Sequence, residues 1–453
     1  MKRIILLTTI IVLLVATSCQ SKKETSNKFS LEAYTDSLFQ ASIDSARIAG
    51  GTILVFQKEE VLLKKSYGKA SLELAVPMPE EAIFEIGSAT KQFTAAAILK
   101  LVEAKKISLD DDFTDYLEFD TKGRKITINN LLNHTSGIAS YTEIAEFWDL
   151  SIKEYPRDSL VRLVEQKDFL FEPNEALIYN NSGYFFLGLI IEKVTEQGYE
   201  AFLKQEFFEP LGMDNTSYCS NSKVVKNKVD GYNYSPNGLL QKPYLNHTWP
   251  YAAGSLCSTT EDLLIWMRAL HSGKVLTAPM YLSMISPGKL NNGASVSYAK
   301  GLVNFSNFGH KEIAHGGGIS GFLSDTRYFP NEDLYIICLI NTTGPNGGSF
   351  FADKVTWKLL HKIAPKQVDL DIDVSSIQGT YTGAARGNQQ TLKIKSIVNG
   401  ITIQAAGKEK IDTLDVYVGN NTWMSGNHSI TIEDEEYRLD QTYNYYILKK
   451  ENN

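Results

Sequence analysis

Cysteine is scarce: Cys19, Cys219, Cys257 and Cys338 are all the chain has, and no cysteine–histidine spacing suits zinc. There is no His-Glu-x-x-His helix, no His-x-His-x-Asp run of a metal-dependent hydrolase, and no glycine-rich phosphate loop after a strand. The Gly-x-Ser-x-Gly elbow of α/β-hydrolases is missing as well. No metal or other cofactor is therefore expected. Charge of one sign never builds a long block, and a formal net charge of −7 gives nucleic acid no foothold. Internal repeats and low-complexity tracts are also lacking. An odd number of cysteines after Cys19 argues against a full disulfide framework. Cys338, inside "LYIICLINTT", reads as a plain core residue.

The 453 residues, 43% of them hydrophobic and 21% charged, describe a globular protein with room for two or three domains. The first residues read as a targeting segment. Lys2 and Arg3 precede an apolar stretch over residues 4–15 that is too short for a comfortable membrane span. "VATSC" then resembles a bacterial lipoprotein cleavage site. The resemblance implies a signal peptide over residues 1–18, lipidation of Cys19, and a polar tether over 19–30 that holds an exported protein to a membrane of the cell envelope.

"GGTILVFQKEEVLLKKSYGKAS" predicts two strands with a turn near Lys58–Glu60. Helices are expected over 94–104, within "ITINNLLNHTSGI" up to Gly137, over 184–198, and from a Thr259 or Thr260 cap to Gly273. "DTRYFP" and "DLYIICLIN" read as paired strands, and "FFADKVTWKLLHKI" as a closing helix. With strands at both ends and helices between, the pattern predicts one α+β unit whose sheet joins the two ends. After "APKQVDLDIDV", short alternating runs ("TLKIKS", "GITIQA", "DVYVG", "HSITIED", "YNYYILKK") predict a small all-β barrel or sandwich. The boundaries expected are 31–365 for the larger domain, able to fold alone, and 366–453 for the smaller.

Chemistry concentrates at "EIGSATKQFTAAAILKL". Ser-x-x-Lys occurs at Ser66, Ser88, Ser220, Ser286 and Ser297, but only Ser88 opens a helix. There, residues three apart share a face, so the Lys91 amine can reach the Ser88 hydroxyl. A free hydroxyl is a poor nucleophile and needs a base. A lysine serves only when neutral, which burial and nearby cations favour. Tyr179, in Tyr179-Asn180-Asn181 before an apolar helix, is a candidate second proton carrier. His315-Gly316-Gly317 follows before a strand. His134, in "NHTSG", reads as a structural bond-maker at a helix end.

Ser-x-x-Lys, Tyr-x-Asn and His-x-Gly in this order resemble the serine β-lactamase and penicillin-binding protein superfamily, in particular its class C β-lactamase-like, DD-carboxypeptidase and esterase branch. "FFEPLGMDNTSY" and "AAGSLCSTTEDLLIWM" resemble it too, over roughly residues 31–362. The resemblance implies a β-lactamase/transpeptidase-like fold and a serine hydrolase acting through an acyl-enzyme on an amide or ester: a D-amino-acid peptide, an ester or a β-lactam. It also allows a slowly deacylating penicillin-binding receptor or a non-catalytic envelope binding protein. By the same resemblance Ser88 is the nucleophile, Lys91 its base and Tyr179 the proton carrier. Asn181, His315 and Gly317 line the substrate, and the N–H groups of Ser88 and Gly318 form the oxyanion hole. The partner expected is a small molecule or peptide. Two departures bear on substrate: His315 stands where a lysine is possible, and Gly316 lacks a hydroxyl often found there. Both predict a weak grip on a substrate carboxylate.

Overall fold

The computed structural model describes residues 30–451 apart from 399, 427 and 434. The expected signal peptide and Cys19 lie outside the described residues. The fold is built on a seven-stranded antiparallel sheet at whose heart Gly50–Gln57 pairs with both Glu60–Ser71 and Leu334–Ile340. Two segments nearly 300 positions apart in the chain thus lie side by side, with Ile53 opposite Cys338. Both strands are apolar along their length because both faces of the sheet are covered. The hairpin after Gln57 turns on Lys58 and Glu59, whose φ angles of 48° and 66° suit a two-residue turn matched to strand twist.

Alternation along these strands divides the core. Ile53, Val55, Ile336, Cys338 and Ile340 face the first helix, Leu31–Asp44, and the closing helix, Gly348–Leu359, through Phe39, Phe351 and Val355. Leu54, Phe56, Ile337 and Leu339 face the larger helical layer through Phe93, Ile98 and Trp266. Each such apolar side chain, fully buried, stabilises by about 1.5–3 kcal/mol before entropy is counted.

Helix boundaries differ from the sequence expectations by identifiable causes. The helix after Ser88 spans Lys91–Glu103, preceded by a 3-10 turn at Gly87–Thr90. The expected 184–198 helix begins earlier, at Asn181, because the Asn180 side chain accepts the Gly183 N–H as its cap. The helix of "ITINNLLNHTSGI" is confined to Ile128–Leu132 by a Thr127/Asn130 capping box at one end and a left-handed His134 (φ 59°) after the other. Thr259 caps Thr260–His271 through the Asp262 N–H.

The tail forms nine antiparallel strands around a core of its own, including Tyr381, Tyr417, Trp423, Tyr437 and Leu448. The strands Gly379–Ala385, Ile411–Leu414, Thr422–Ser425 and Glu436–Gln441 were not among the runs expected. Gly379–Ala385 is made of small and polar residues around one tyrosine, so its alternation is faint. The last strand, Asn444–Lys450, also pairs with Leu177–Ile178 of the larger domain, Ile178 opposite Asn444.

Candidate active site

The segment entering the Ser88 turn is held before the turn begins. Phe84–Glu85 pairs with Leu256–Ser258, which also pairs with Ser217–Tyr218, and a Cys219–Cys257 disulfide ties that small sheet together. Ile86 N–H donates to Leu256 O at 2.9 Å. Ser88 follows, half-buried, at the mouth of a cleft of about 580 Å³.

Lys91 is wholly buried behind it. Its Nζ lies 3.2 Å from Ser88 Oγ and donates to Asn181 Oδ1 at 2.8 Å and to Ala253 O at 2.7 Å. It also lies 4.9 Å from the centre of the Tyr179 ring. Burial holds the ammonium well below its ordinary pKa, and the Arg386 cation pushes the same way. Burial pushes the Tyr179 phenol up, opposed by the Ser88 hydroxyl and by Arg386. The Tyr179 oxygen is buried and makes no hydrogen bond of ordinary geometry among the described residues. The Arg386 cation lowers the pKa of both groups.

Asn181 is engaged on both sides, since its Nδ2 donates to Thr142 Oγ1 at 3.1 Å. His134 accepts the Asn180 N–H at 3.1 Å and packs against Tyr179, 4.4 Å between ring centres. It therefore supports the Tyr179-Asn180-Asn181 bend from behind.

The strand His310–Ile319 forms the opposite wall. Ile319 and Phe322 close a two-residue hairpin, so hydrogen-bonded and outward-facing positions alternate back along the strand. Gly316 and Gly318 fall at outward positions. Gly316 N–H donates to Tyr443 Oη at 2.8 Å, away from the neighbouring strand, and Gly318, two positions on, falls on the same side of the strand. The approach of this strand to the Ser88 turn depends on two glycines. A Cβ on Gly317 would stand 2.0 Å from Ile86 O, and one on Gly87, whose φ is +54°, would stand 2.9 Å from Gly318 C. His315 is buried with both ring nitrogens occupied: Nδ1–H donates to Gly316 O at 2.6 Å, so Nε2 accepts from Tyr298 Oη at 2.9 Å. Burial, and then the nearby Lys91, lower its pKa to about 3. It carries no charge at neutral pH and has no N–H left to offer.

Sequence reasoning brought Ser88, Lys91, Tyr179, Asn181, His315, Gly317 and Gly318 to one cleft, and the structure gathers all seven there. It missed the contribution of the tail. Arg386, Tyr443 and Asn444 line the same cleft. Asn444 Oδ1 accepts the Tyr179 N–H at 3.0 Å, and Arg386 Nε donates to Glu143 Oε1 at 2.9 Å. Arg386 and Gly387 form a two-residue hairpin tip between Ala385 and Asn388. Gly387 has φ +74°, and a Cβ there would meet Glu143 Oε2 at 2.5 Å. The one sequence signal was "ARGN", a charged residue before a turn glycine. Nothing local says where such a tip docks.

The family model described as Beta-lactamase matches residues 35–360. Penicillin-binding protein 4* of Bacillus subtilis is 30% identical over 292 residues, covering 60% of this chain and 63% of that protein. The chain spans 62–63% of the length of the curated relatives it matches. Among solved structures, the octameric penicillin-binding protein homologue from Pyrococcus abyssi superposes with a TM-score of 0.66 at 24% identity, over 92% of this chain and 100% of that one. A D-stereospecific amidohydrolase from Streptomyces sp. superposes with a TM-score of 0.63 at 25% identity, over 73% and 99%.

Proposed function

The chain belongs to the beta-lactamase family, and on that premise we propose that it is an exported serine hydrolase that cleaves amides or esters of D-amino-acid type through an acyl-enzyme. The observation that carries this reading is the buried Lys91 amine, 3.2 Å from Ser88 Oγ and electrostatically disposed to be neutral.

In the first half-reaction Ser88 Oγ attacks the substrate carbonyl while its proton passes to Lys91 Nζ. The new O–C bond makes a tetrahedral oxyanion, received by the N–H groups of Ser88 and Gly318. Collapse breaks the bond to the leaving group, which departs with a proton delivered through Tyr179. The phenol's free hydrogen-bonding capacity suits this exchange, and its high pKa keeps it protonated at rest. In the second half-reaction water gives its proton to the Tyr179–Lys91 pair and attacks the ester. Ser88 regains its proton, and the acid is released. The Streptomyces relative is a D-stereospecific amidohydrolase, which supports a D-configured amide as the substrate class.

Export and anchoring at Cys19 belong to the same proposal. They rest on "VATSC" and are supported by the Cys219–Cys257 disulfide, a bond that persists in oxidising compartments.

Intact-mass analysis after incubation with β-lactams, D-Ala-D-Ala peptides and p-nitrophenyl esters tests the reading. One acyl adduct on wild type, absent from Ser88→Ala, with turnover reduced about 10⁴-fold or more, is expected. An adduct on another serine would refute the assignment. A stoichiometric burst without steady turnover would favour the slowly deacylating receptor.

A further inference from the structure

We propose that Arg386, carried into the cleft by the tail's first hairpin, is the residue that recognises a carboxylate on the leaving half of the substrate. This rests on the acyl-enzyme reading above. Among the described residues that line the cleft, Glu143 and Arg386 alone carry charge at neutral pH. His315 cannot act as the cation, because both its nitrogens are bonded within the protein. Gly316 brings no hydroxyl, and its N–H is taken by Tyr443.

Arg386 is placed for the task. Its guanidinium carbon lies 5.2 Å from the centre of the Tyr179 ring. Tyr179 delivers the leaving group's proton, so a cation against its ring stands on the leaving side of the scissile bond. A guanidinium has five N–H donors, and the contact with Glu143 through Nε uses one. No other guanidinium nitrogen is hydrogen-bonded among the described residues, so the end of the fork remains able to take a carboxylate in two-point fashion. Glu143 holds the stem of the fork, and Gly387 beside it packs so closely that a Cβ there would stand 2.5 Å from Glu143 Oε2. The Arg386 side chain is 42% exposed, which leaves it open to a ligand. The tail's place in the protein is then to determine specificity, in a cleft whose acylating residues all come from the larger domain.

The test uses two thioesters, N-benzoyl-D-alanyl-thioglycolate and its methyl ester, which differ only in the carboxylate of the leaving half. Thiol release gives kcat/KM for each on the full chain. Wild type should prefer the acid, and Arg386→Ala should lower the acid-to-ester ratio about 10- to 100-fold, the worth of one charge-assisted hydrogen bond or a bidentate pair. Arg386→Lys should recover part of the ratio. Glu143→Gln, which removes the competing anion, should raise it. Loss of Arg386 should also move the acid limb of the pH profile upward, since a cation that depresses Lys91 has gone. A ratio unchanged in Arg386→Ala and Glu143→Gln, with Ser88-dependent turnover intact, overturns the assignment of Arg386 and leaves the hydrolase reading standing. No Ser88-dependent turnover of either thioester overturns both.

Discussion

Replacing Gly87 by alanine should separate the two halves of the oxyanion site while leaving the fold in place. Gly87 lies at φ +54°, where an L side chain costs roughly 1–2 kcal/mol of backbone strain. The added Cβ would also stand 2.9 Å from Gly318 C and 3.0 Å from Gly318 N and O. Ordinary contact requires about 3.5 Å, so the strand bearing Gly318 must retreat by roughly half an ångström. An oxyanion donor works within about 2.7–3.1 Å, and removal of one costs about 10²–10³ in kcat. A half-ångström retreat should cost a substantial part of that, about 10- to 100-fold in the rate of Ser88 acylation. Strain alone is isolated by Gly212→Ala: φ there is +71°, but nothing lies within 4 Å of the new Cβ. Gly87→Ala should lose more stability in urea than Gly212→Ala, by the cost of the clash, and only Gly87→Ala should acylate slowly. Equal acylation rates, with both variants folded, would refute the geometry assigned to Gly318.

Glu85 gives a pH signature of stability. It is buried, which by itself raises its pKa, but the His247 contact and the charges of Lys242, His247 and Lys228 outweigh burial and hold it at about 2. A carboxyl depressed from its usual 4.5 stabilises the fold above that unfolded value, by up to about 3 kcal/mol, and loses this as pH falls toward 2. Glu85→Gln should therefore lower the urea midpoint at pH 7, with the gap closing below pH 4; a gap independent of pH would contradict this. Cys19→Ser should move the protein from the membrane fraction to the soluble one, and a wild type already soluble would end the lipoprotein proposal.

The proposed acylating residues were readable in the sequence because their spacing is local. Ser88 and Lys91 are three apart on one helical face, and Tyr179 and Asn181 bracket a helix cap. The sheet was legible from apolar runs at both ends of the larger domain. The wall supplied by the tail was not. Arg386 and Tyr443 sit at hairpin turns whose composition records only the turn, and docking 177–178 onto the last strand is a pairing of two residues with no periodicity to announce it. The role of His315 was half legible: its neutrality follows from its residue type, but its engagement with Tyr298 depends on a fold that brings position 298 beside it.

The strand that clamps Leu177–Ile178 is Asn444–Lys450, and Asn444 in it holds the Tyr179 amide. A ribosome makes Ser88 and Lys91 hundreds of residues before Asn444, so the proposed nucleophile and base exist long before the Tyr179 backbone is clamped. The site is therefore finished in order of synthesis, with the backbone clamp made 265 residues after Tyr179 itself. Frameshift or premature termination between Tyr179 and Asn444 yields a chain with Ser88, Lys91 and Tyr179 in place but without the backbone clamp on Tyr179.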